Sequence, residues 1–497
     1  MMKYGWAERN ITPHKKVSLA GQFAERISEY VEKPLTVTAF VADSGKEQMI
    51  LVGTDLIAVG WNLVQEVRTR IGTKYPEIDP MKIVISAIHT HTGPVLSRTR
   101  RLKVSAGTKG LLQEYLTNGQ QYVEKVNVTD NAGIATKEEL YELVVGQIVD
   151  AIGSAWENRK AGSFANAFGR AAIGMCRRAV YSDGSAQMWG DTNQAVFSEL
   201  EGGSDSGVEL MYLFDETDKL TGIIANVACP AQCVQHRLFV SPDFWGEAKM
   251  LLRQRFGDDI YLLALCSAAG DQCPVDLIRW VEPESDVNDP NLKRSNPPKR
   301  KADPSMFDLS GMRKAGKRLA REIIDVYEEG LDEKQTDIEF AHLVSDYQLP
   351  LRRATLAQAL VAEKEIREYL KNKPGDLDYN DAANLQVYLG TLLRMRVQET
   401  QQTLDTEVHV IRMGTVAIAT NPFELFLDYG NQIRARSLAE QTFLIQLANG
   451  GEGYLPTEKA EKGGHYSAFI SSGQVGHIGG DQLVRQTLKD IRTLFEV

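Results

Sequence analysis

One segment of this 497-residue chain restricts the fold more than any other, because it joins a buried strand to two histidines. The apolar, β-branched run over residues 83–88 predicts a buried strand, and Gly93-Pro94 prevents that strand from continuing. His89 and His91 therefore lie at its exit. Side chains two residues apart in a strand point to one face, so we expect both imidazoles to project into one cavity. Such a pair can bind a metal ion, or bind one and move a proton, whereas a turn whose rings only hydrogen-bond to backbone is the plainer alternative.

Three further segments repeat this pattern of a buried strand that ends in polar side chains. They cover residues 226–230, 266–274 and 419–424. Ligands bind outside the strand ends in open α/β sheets, so several such exits at one edge would form a single polar pocket. Because Gly, Asp, Asn and Pro are also the ordinary residues of turns, plain turn formation remains the alternative.

Strand-like and helical periodicities alternate in the first third of the chain, as in residues 48–56 and 62–71. This order predicts an α/β fold with a mixed β-sheet core flanked by helices and the candidate site at the strand ends. We expect one large domain over residues 1–497, with surface loops or insertions at 97–136 and 282–305. Two helical segments within 355–403 predict an inserted helical hairpin.

Composition excludes several classes of function. A formal net charge of -10 argues against binding to a phosphate backbone, which requires a basic face. Neither a signal peptide nor an apolar run of membrane-spanning length is apparent, so we expect a cytoplasmic protein without stable membrane association. Five cysteines are too few for the disulfide framework of a secreted protein of this length, and an odd number cannot pair completely. The partner we expect is a small molecule, and a homo-oligomer is left open.

Several motifs together resemble the neutral/alkaline non-lysosomal ceramidase family, which consists of zinc-dependent amidases that cleave the N-acyl bond of sphingolipids. The resemblance is to the catalytic domain and covers nearly the whole chain. Its most specific part is the run His-Thr-His-Thr-Gly-Pro at 89–94, combined with a downstream glutamate and tyrosine. The other matching segments follow in the family's order: 7–13, 52–55, 176–178, 270–274, 421–424 and 453–457.

The resemblance implies roles for individual residues. It makes His89 the first zinc ligand, Glu424 a carboxylate ligand and Tyr454 a phenolate ligand. His91 would be the acid/base or a donor to the transition state. Arg177 matches the arginine of the family's Asn-Arg pair, although a cysteine precedes it here in place of the asparagine.

Two further positions depart from the family's pattern. A further zinc-binding histidine is expected where this chain has Cys229-Pro230, so we expect His236 to complete the site. Cys229 is the alternative because zinc binds thiolate readily, and in a third interpretation neither residue binds. Cys273 replaces a serine of the family, and we expect a buried or turn-forming cysteine there rather than a nucleophile.

Together, these expectations predict a zinc-dependent hydrolase that uses metal-activated water to cleave the amide (N-acyl) bond of a soluble small molecule. An ester would fit the same groups equally well. One alternative is a ceramidase-like binding protein without catalytic activity, motivated by the missing histidine. Another is a carbohydrate-active hydrolase that uses carboxylates such as Glu424 and Asp271, which would not require zinc.

Overall fold

The structure is a computed structural model, and it describes residues 2–22, 25–97, 99, 107–116, 119–122, 133–281, 301–331 and 334–496. It confirms the predicted fold class, a mixed β-sheet core flanked by helices. Much of the predicted excursion over 97–136, and residues 282–300 of the second predicted loop, lie outside the described residues.

The strands of the described chain are numbered in sequence order. They are β1 (Lys3–Asn10), β2 (Tyr30–Val31), β3 (Thr36–Asp43), β4 (Gln48–Thr54), β5 (Ile83–Ala87), β6 (Lys160–Arg170), β7 (Met175–Cys176), β8 (Arg178–Tyr181), β9 (Ala186–Met188), β10 (Phe197–Leu200), β11 (Gly207–Asp215), β12 (Leu220–Val227), β13 (Phe239–Val240), β14 (Tyr261–Cys266), β15 (Gln272–Cys273), β16 (Asp276–Val281), β17 (Lys301–Asp303), β18 (Phe340–Pro350), β19 (Thr403–Met413), β20 (Val416–Thr420), β21 (Glu424–Leu425), β22 (Gln441–Ile445) and β23 (Tyr454–Leu455).

The α-helices are numbered in the same way. They are α1 (Trp61–Lys74), α2 (Gly107–Gln113), α3 (Lys137–Glu157), α4 (Phe244–Phe256), α5 (Asp308–Asp325), α6 (Tyr327–Leu331), α7 (Leu356–Asn372), α8 (Tyr379–Thr400), α9 (Leu427–Arg436), α10 (Glu458–Gly463) and α11 (His477–Phe495). Short 3₁₀ turns cover Pro80–Lys82 and Ile470–Ser472. Among the described residues, no helix is both long and apolar enough to cross a bilayer.

The largest sheet has eight described strands in the order β14-β12-β11-β6-β1-β3-β4-β5. Its neighbours are antiparallel except for the pairs β12/β14 and β4/β5, which are parallel. A second sheet, in the order β18-β19-β20-β22, is antiparallel except between β20 and β22. The fold is therefore a mixed α/β arrangement built on two sheets.

The two sheets pack face to face between two layers of helices. One face of the large sheet packs on α1 and α3 at one end and on α4 and α5 at the other. Its opposite face meets the second sheet through alternate residues such as Phe40, Met211 and Ile224 against Ile418 and Phe443. The outer face of the second sheet packs on α9 and α11. Burial on both faces explains why the central strands are almost continuously apolar rather than alternating.

Local sequence signals set the ends of several helices. Thr136 caps α3 in a reciprocal capping box with Glu139. Thr355 and Asp378 cap α7 and α8 in the same way. These two helices pack on each other and on α2 through a small apolar cluster of their own that includes Leu370 and Leu389. The region predicted as a helical hairpin thus contains two packed helices joined by a short connection.

Candidate active site

The first site residues follow the end of β5. The strand ends at Ala87, two residues before His89, and His89 itself has a φ of 64°. A left-handed backbone is unfavourable for a residue other than glycine, and such strain is held only where the surroundings enforce it. The two imidazoles do lie together, with ring centroids 5.0 Å apart in an edge-to-face arrangement. The expected pairing therefore occurs, but a strained turn produces it rather than the alternation of the strand.

His89, Glu424 and Tyr454 converge from distant parts of the chain. His89 Nε2 lies 3.5 Å from Glu424 Oε2. Glu424 and Tyr454 are direct register partners in the short parallel pair β21/β23, which Glu424 N reinforces by donating to Gly453 O at 2.9 Å. The side chains that the sequence motifs singled out at residues 89, 424 and 454 thus share one site.

The hydrogen bonding of His89 leaves two acceptors facing each other. Its Nδ1 lies 2.8 Å from the carbonyl oxygen of Ile57, and since a carbonyl oxygen only accepts, Nδ1 carries the proton. In a neutral ring, Nε2 then presents a lone pair toward the Glu424 carboxylate. Two acceptors in this position call for a cation or a proton between them. Two ligands that are each about 2.0–2.1 Å from a tetrahedral zinc ion lie roughly 3.3 Å apart, close to the observed separation.

Three side chains of the site are of types that can bind zinc. Among the described residues no three His, Cys, Asp or Glu side chains cluster as metal ligands, so the third donor would be the phenol of Tyr454. Burial, together with nearby Glu424 and Tyr466, raises the pKa of Tyr454 well above its usual value. In the chain alone this group is therefore a neutral phenol. Three ligands and one open position are the usual composition of a catalytic zinc site.

The structure places His236 in different surroundings from those expected. Its ring stacks on Phe307 with centroids 5.3 Å apart, and its Nε2 lies 3.5 Å from Asp308 Oδ1. Its contacts thus group it with the start of α5 instead of with His89. The cause is the loop after β12, in which Gln232 and Gln235 rather than His236 reach the neighbourhood of His91.

Cys229 also makes its contacts elsewhere. Its Sγ donates to the carbonyl oxygen of Ile173 at 3.3 Å, and the side chain belongs to the core between the large sheet and α4. Burial raises the pKa of this thiol well above its usual value. The chain as described therefore supplies no evident fourth ligand.

Arg177 lies between several groups of the site. Its guanidinium donates to Gln232 Oε1 at 3.2 Å, to Gly270 O at 2.8 Å and to Tyr454 Oη at 3.4 Å. Within the described part of the chain, its buried Nε has no hydrogen-bond partner. Arg177 thus brings a fixed positive charge next to the candidate metal ligands.

His91 is buried and is held by a loop near the N-terminus. Arg26 donates to its carbonyl oxygen at 2.7 Å, and the side chain of Gln232 lies 3.4 Å from its Nε2. A methyl group on Gly21 would come within 2.4 Å of its ring. Burial lowers the pKa of His91 well below its usual value, and neighbouring His89, Arg26 and Arg177 lower it further. The ring is therefore neutral at physiological pH, so it would begin a reaction as an acceptor of a proton.

Asp271 and Cys273 have contacts typical of turns. Asp271 Oδ1 accepts from Leu427 N at 2.9 Å, and burial raises the pKa of Asp271 to about 6. Cys273 Sγ contacts the backbone of Val275, and burial raises the pKa of this thiol to about 12. A thiol with so high a pKa is a poor nucleophile, which agrees with the expectation of a buried cysteine.

Sequence reasoning overlooked Gln232 and Tyr466. Gln232 contacts both Arg177 and His91, while the ring of Tyr466 lies edge-on against Tyr454 with centroids 5.5 Å apart. Neither residue belongs to a motif that specifies a chemistry. A faint signal for Gln232 was its position three residues after the cysteine that replaces the family's histidine.

Comparison with known proteins supports the fold. No family model and no curated protein matches the sequence. A neutral ceramidase from Pseudomonas aeruginosa matches over 100% of this chain and 75% of its own, with a TM-score of 0.67 and 15% identity. A ceramidase complexed with C2 matches over the same shares, with a TM-score of 0.65 and 14% identity. Since these matches cover the whole chain at TM-scores of 0.65–0.67, the chain has a divergent neutral ceramidase-like fold.

Proposed function

We propose that this protein is a zinc-dependent hydrolase that cleaves the amide bond of an N-acylated small molecule. The observation that carries the proposal is the approach of His89 Nε2 to Glu424 Oε2 at 3.5 Å, while His89 Nδ1 lies 2.8 Å from the carbonyl oxygen of Ile57. An ion there would be held by His89, Glu424 and Tyr454. The ceramidase-like fold supports an amide as the bond that is cleaved.

A bound zinc ion would bring the pKa of a coordinated water molecule near neutrality and polarise the substrate carbonyl. The residues around it supply the rest. Arg177 is buried and cationic, so it can donate to the carbonyl oxygen as negative charge develops on it. Its bonds to Gly270 and Gln232 fix its direction before substrate arrives. Such fixed donors stabilise an oxyanion because they need no reorganisation during the reaction.

His91 would move the proton. It is neutral when the reaction begins, so it can accept a proton from the attacking water and later deliver it to the leaving amine. Amide cleavage requires this delivery because the nitrogen would otherwise have to leave as a strongly basic amide anion. The ring centroids of His91 and His89 are 5.0 Å apart, so this proton transfer would take place next to the candidate metal ligands.

The decisive experiment replaces His89 with alanine. We expect the purified variant to lose stoichiometric zinc and amidase activity together, because one of only three candidate donors is removed. The exposed His14 provides a control, and His14→Ala should keep both properties. Full zinc occupancy in the His89→Ala protein, measured by elemental analysis, would contradict the ligand assignment.

One observation favours a second candidate, a ceramidase-like binding protein without turnover. His236 and Cys229 make their contacts elsewhere, which leaves the described site one ligand short of the pattern expected from the family. A metal-free protein that is inert toward panels of amides and esters would support this candidate. EDTA distinguishes the proposed zinc hydrolase from a carbohydrate-active hydrolase based on Glu424 and Asp271. The chelator should inhibit the first enzyme but not the second, which does not require zinc.

A further inference from the structure

A single side-chain amide connects Arg177 to His91. Gln232 is only 2% exposed, and its two polar atoms contact different partners: Oε1 lies 3.2 Å from Arg177 Nη1, and Nε2 lies 3.4 Å from His91 Nε2. The carbonyl oxygen of Ala231 also accepts from His91 N at 3.2 Å, so the backbone holds this segment against the histidine.

The chemistry of arginine fixes the orientation of this amide. Every polar hydrogen of a guanidinium is a donor and the group has no acceptor, so the Gln232 atom facing Arg177 must be the oxygen. The amide nitrogen must then face His91. Because an amide N–H only donates, His91 Nε2 must accept, and the proton of the neutral ring must be on Nδ1.

We propose that Gln232 is a positioning residue that holds His91 in the Nδ1–H tautomer, with the Nε2 lone pair directed toward the amide that also contacts Arg177. The inference deepens the proposed function, since it assigns the atom through which His91 would act. A hydrogen bond of 3.4 Å is long and weak, so a water molecule can displace the amide from Nε2.

The proton transfer follows from this tautomer. A water oxygen forms a bond to the amide carbon while one of its protons passes to His91 Nε2, and the carbonyl electron pair moves onto oxygen beside Arg177. When that pair returns, the C–N bond breaks and the nitrogen takes the proton from His91 Nε2. The products are a carboxylic acid and an amine, and His91 recovers its original tautomer.

The tautomer can be measured without any substrate. In protein labelled with ¹⁵N at histidine, two-bond ¹H–¹⁵N spectra distinguish the two neutral forms, and the His91 signals are those that are absent from His91→Gln. We expect the Nδ1–H pattern in the wild type. In Gln232→Glu, the new carboxylate accepts from both Arg177 and His91, so we expect a proton on Nε2. A wild-type Nε2–H pattern, or an unchanged pattern in Gln232→Glu, would overturn the inference.

Kinetics provide a second measurement. Gln232→Glu should lower kcat by about 100-fold or more, since a correctly placed acid–base group contributes roughly 10²–10⁴-fold, while KM stays near the wild-type value. Gln232→Met, similar in length but without hydrogen bonds, should give a mixture of tautomers and an intermediate kcat. If both variants instead lost catalytic efficiency equally, through a higher KM and with kcat unchanged, the role of Gln232 would be merely structural.

A matched control tests whether any buried glutamine would behave in this way. Gln398 is 6% exposed and its amide is bonded to the backbone of Ala354 through both polar atoms, outside the candidate site. Gln398→Glu should lower the melting temperature but leave the His91 spectrum and kcat unchanged. If the tautomer responds as expected but no amide is hydrolysed, the positioning role stands and the proposed function fails.

Discussion

At the scale of single residues, the site depends on a glycine that is distant from it in sequence. Gly21 has a φ of +96°, a conformation that side-chain-bearing residues rarely adopt. Its Cα faces the imidazole of His91, and an added Cβ would come within 2.5 Å of Nδ1. The glycine therefore serves two purposes, since it allows the backbone to turn and leaves room for the ring.

Gly21→Ala should consequently displace His91. We expect a stability loss of roughly 1–3 kcal/mol from backbone strain, together with a kcat at least about 10-fold lower because His91 is misplaced. Zinc content should stay at the wild-type level. Gly45 separates the two effects, because it has a φ of +78° and nothing within 4 Å of an added Cβ. A Gly45→Ala protein that loses as much kcat as Gly21→Ala would show that the strain alone is responsible.

The residues of the site differ in how far the sequence could reveal them. His89, His91, Glu424 and Tyr454 lie in short motifs whose residue types suggest metal chemistry, and the structure groups them. Gln232 could not be found in this way, because its role depends on the side chains of Arg177 and His91, which folding brings to it. The position of His236 was unpredictable for the same reason, since its partners Phe307 and Asp308 lie about seventy residues further along the chain.

At the scale of elements, strands could be predicted from the sequence more accurately than turns. Residues 83–88 were predicted as a buried strand, and Ile83–Ala87 forms one with every residue buried. The positive φ of His89 could not be predicted from the sequence, because histidine, although enriched among non-glycine residues with positive φ, adopts it at only a small fraction of positions. The strand pair β21/β23 is only two residues long, so no periodicity could indicate it.

This short pair depends on a close approach by Gly473. An added Cβ there would lie 1.9 Å from the carbonyl oxygen of Tyr454, although the backbone of Gly473 is extended and unstrained. We expect Gly473→Ala to push Tyr454 away from Glu424, reducing zinc content and lowering stability by about 1–3 kcal/mol. Elemental analysis and urea unfolding measure the two effects.

A control for this variant is Gly203→Ala, since an added Cβ at Gly203 meets nothing within 4 Å. It should keep zinc and stability near the wild-type values. Gly473→Ala with full zinc content would mean that the β21/β23 pair does not determine the position of the third donor.

At the scale of the whole molecule, a buried polar cluster joins the two sheets. Arg68 of α1 makes two hydrogen bonds to Glu407 of β19, at 2.8 and 3.0 Å. His409 Nε2 lies 3.0 Å from the same carboxylate, and its Nδ1 lies 2.8 Å from His342 Nε2. His342 in turn contacts the carbonyl oxygen of Gln48 at the start of β4. The cluster thus links α1 and β4 to β18 and β19 of the second sheet.

The cluster should make folding stability sensitive to acid. Burial alone would raise the pKa of Glu407, but hydrogen bonds from His409 and Arg68 outweigh it and lower the pKa far below its usual 4.5. Burial also lowers the pKa values of His342 and His409 below 6.5. In each case the unfolded chain binds the proton at a higher pH than the folded chain. Stability must therefore fall as the pH decreases, first below about 6.5 through the histidines and then below about 4.5 through Glu407.

Urea unfolding between pH 7 and pH 3.5 measures this dependence, and Glu407→Gln isolates the part that belongs to the carboxylate. The variant should be less stable at pH 7, because Arg68 loses its charged partner in a buried position, where such a loss typically costs about 3–5 kcal/mol. Its stability should then decrease less steeply than that of the wild type below pH 4.5, since one depressed carboxyl group is gone. If the free energy of unfolding fell equally steeply with pH in the two proteins over that range, the charge of Glu407 would not be responsible for the acid sensitivity.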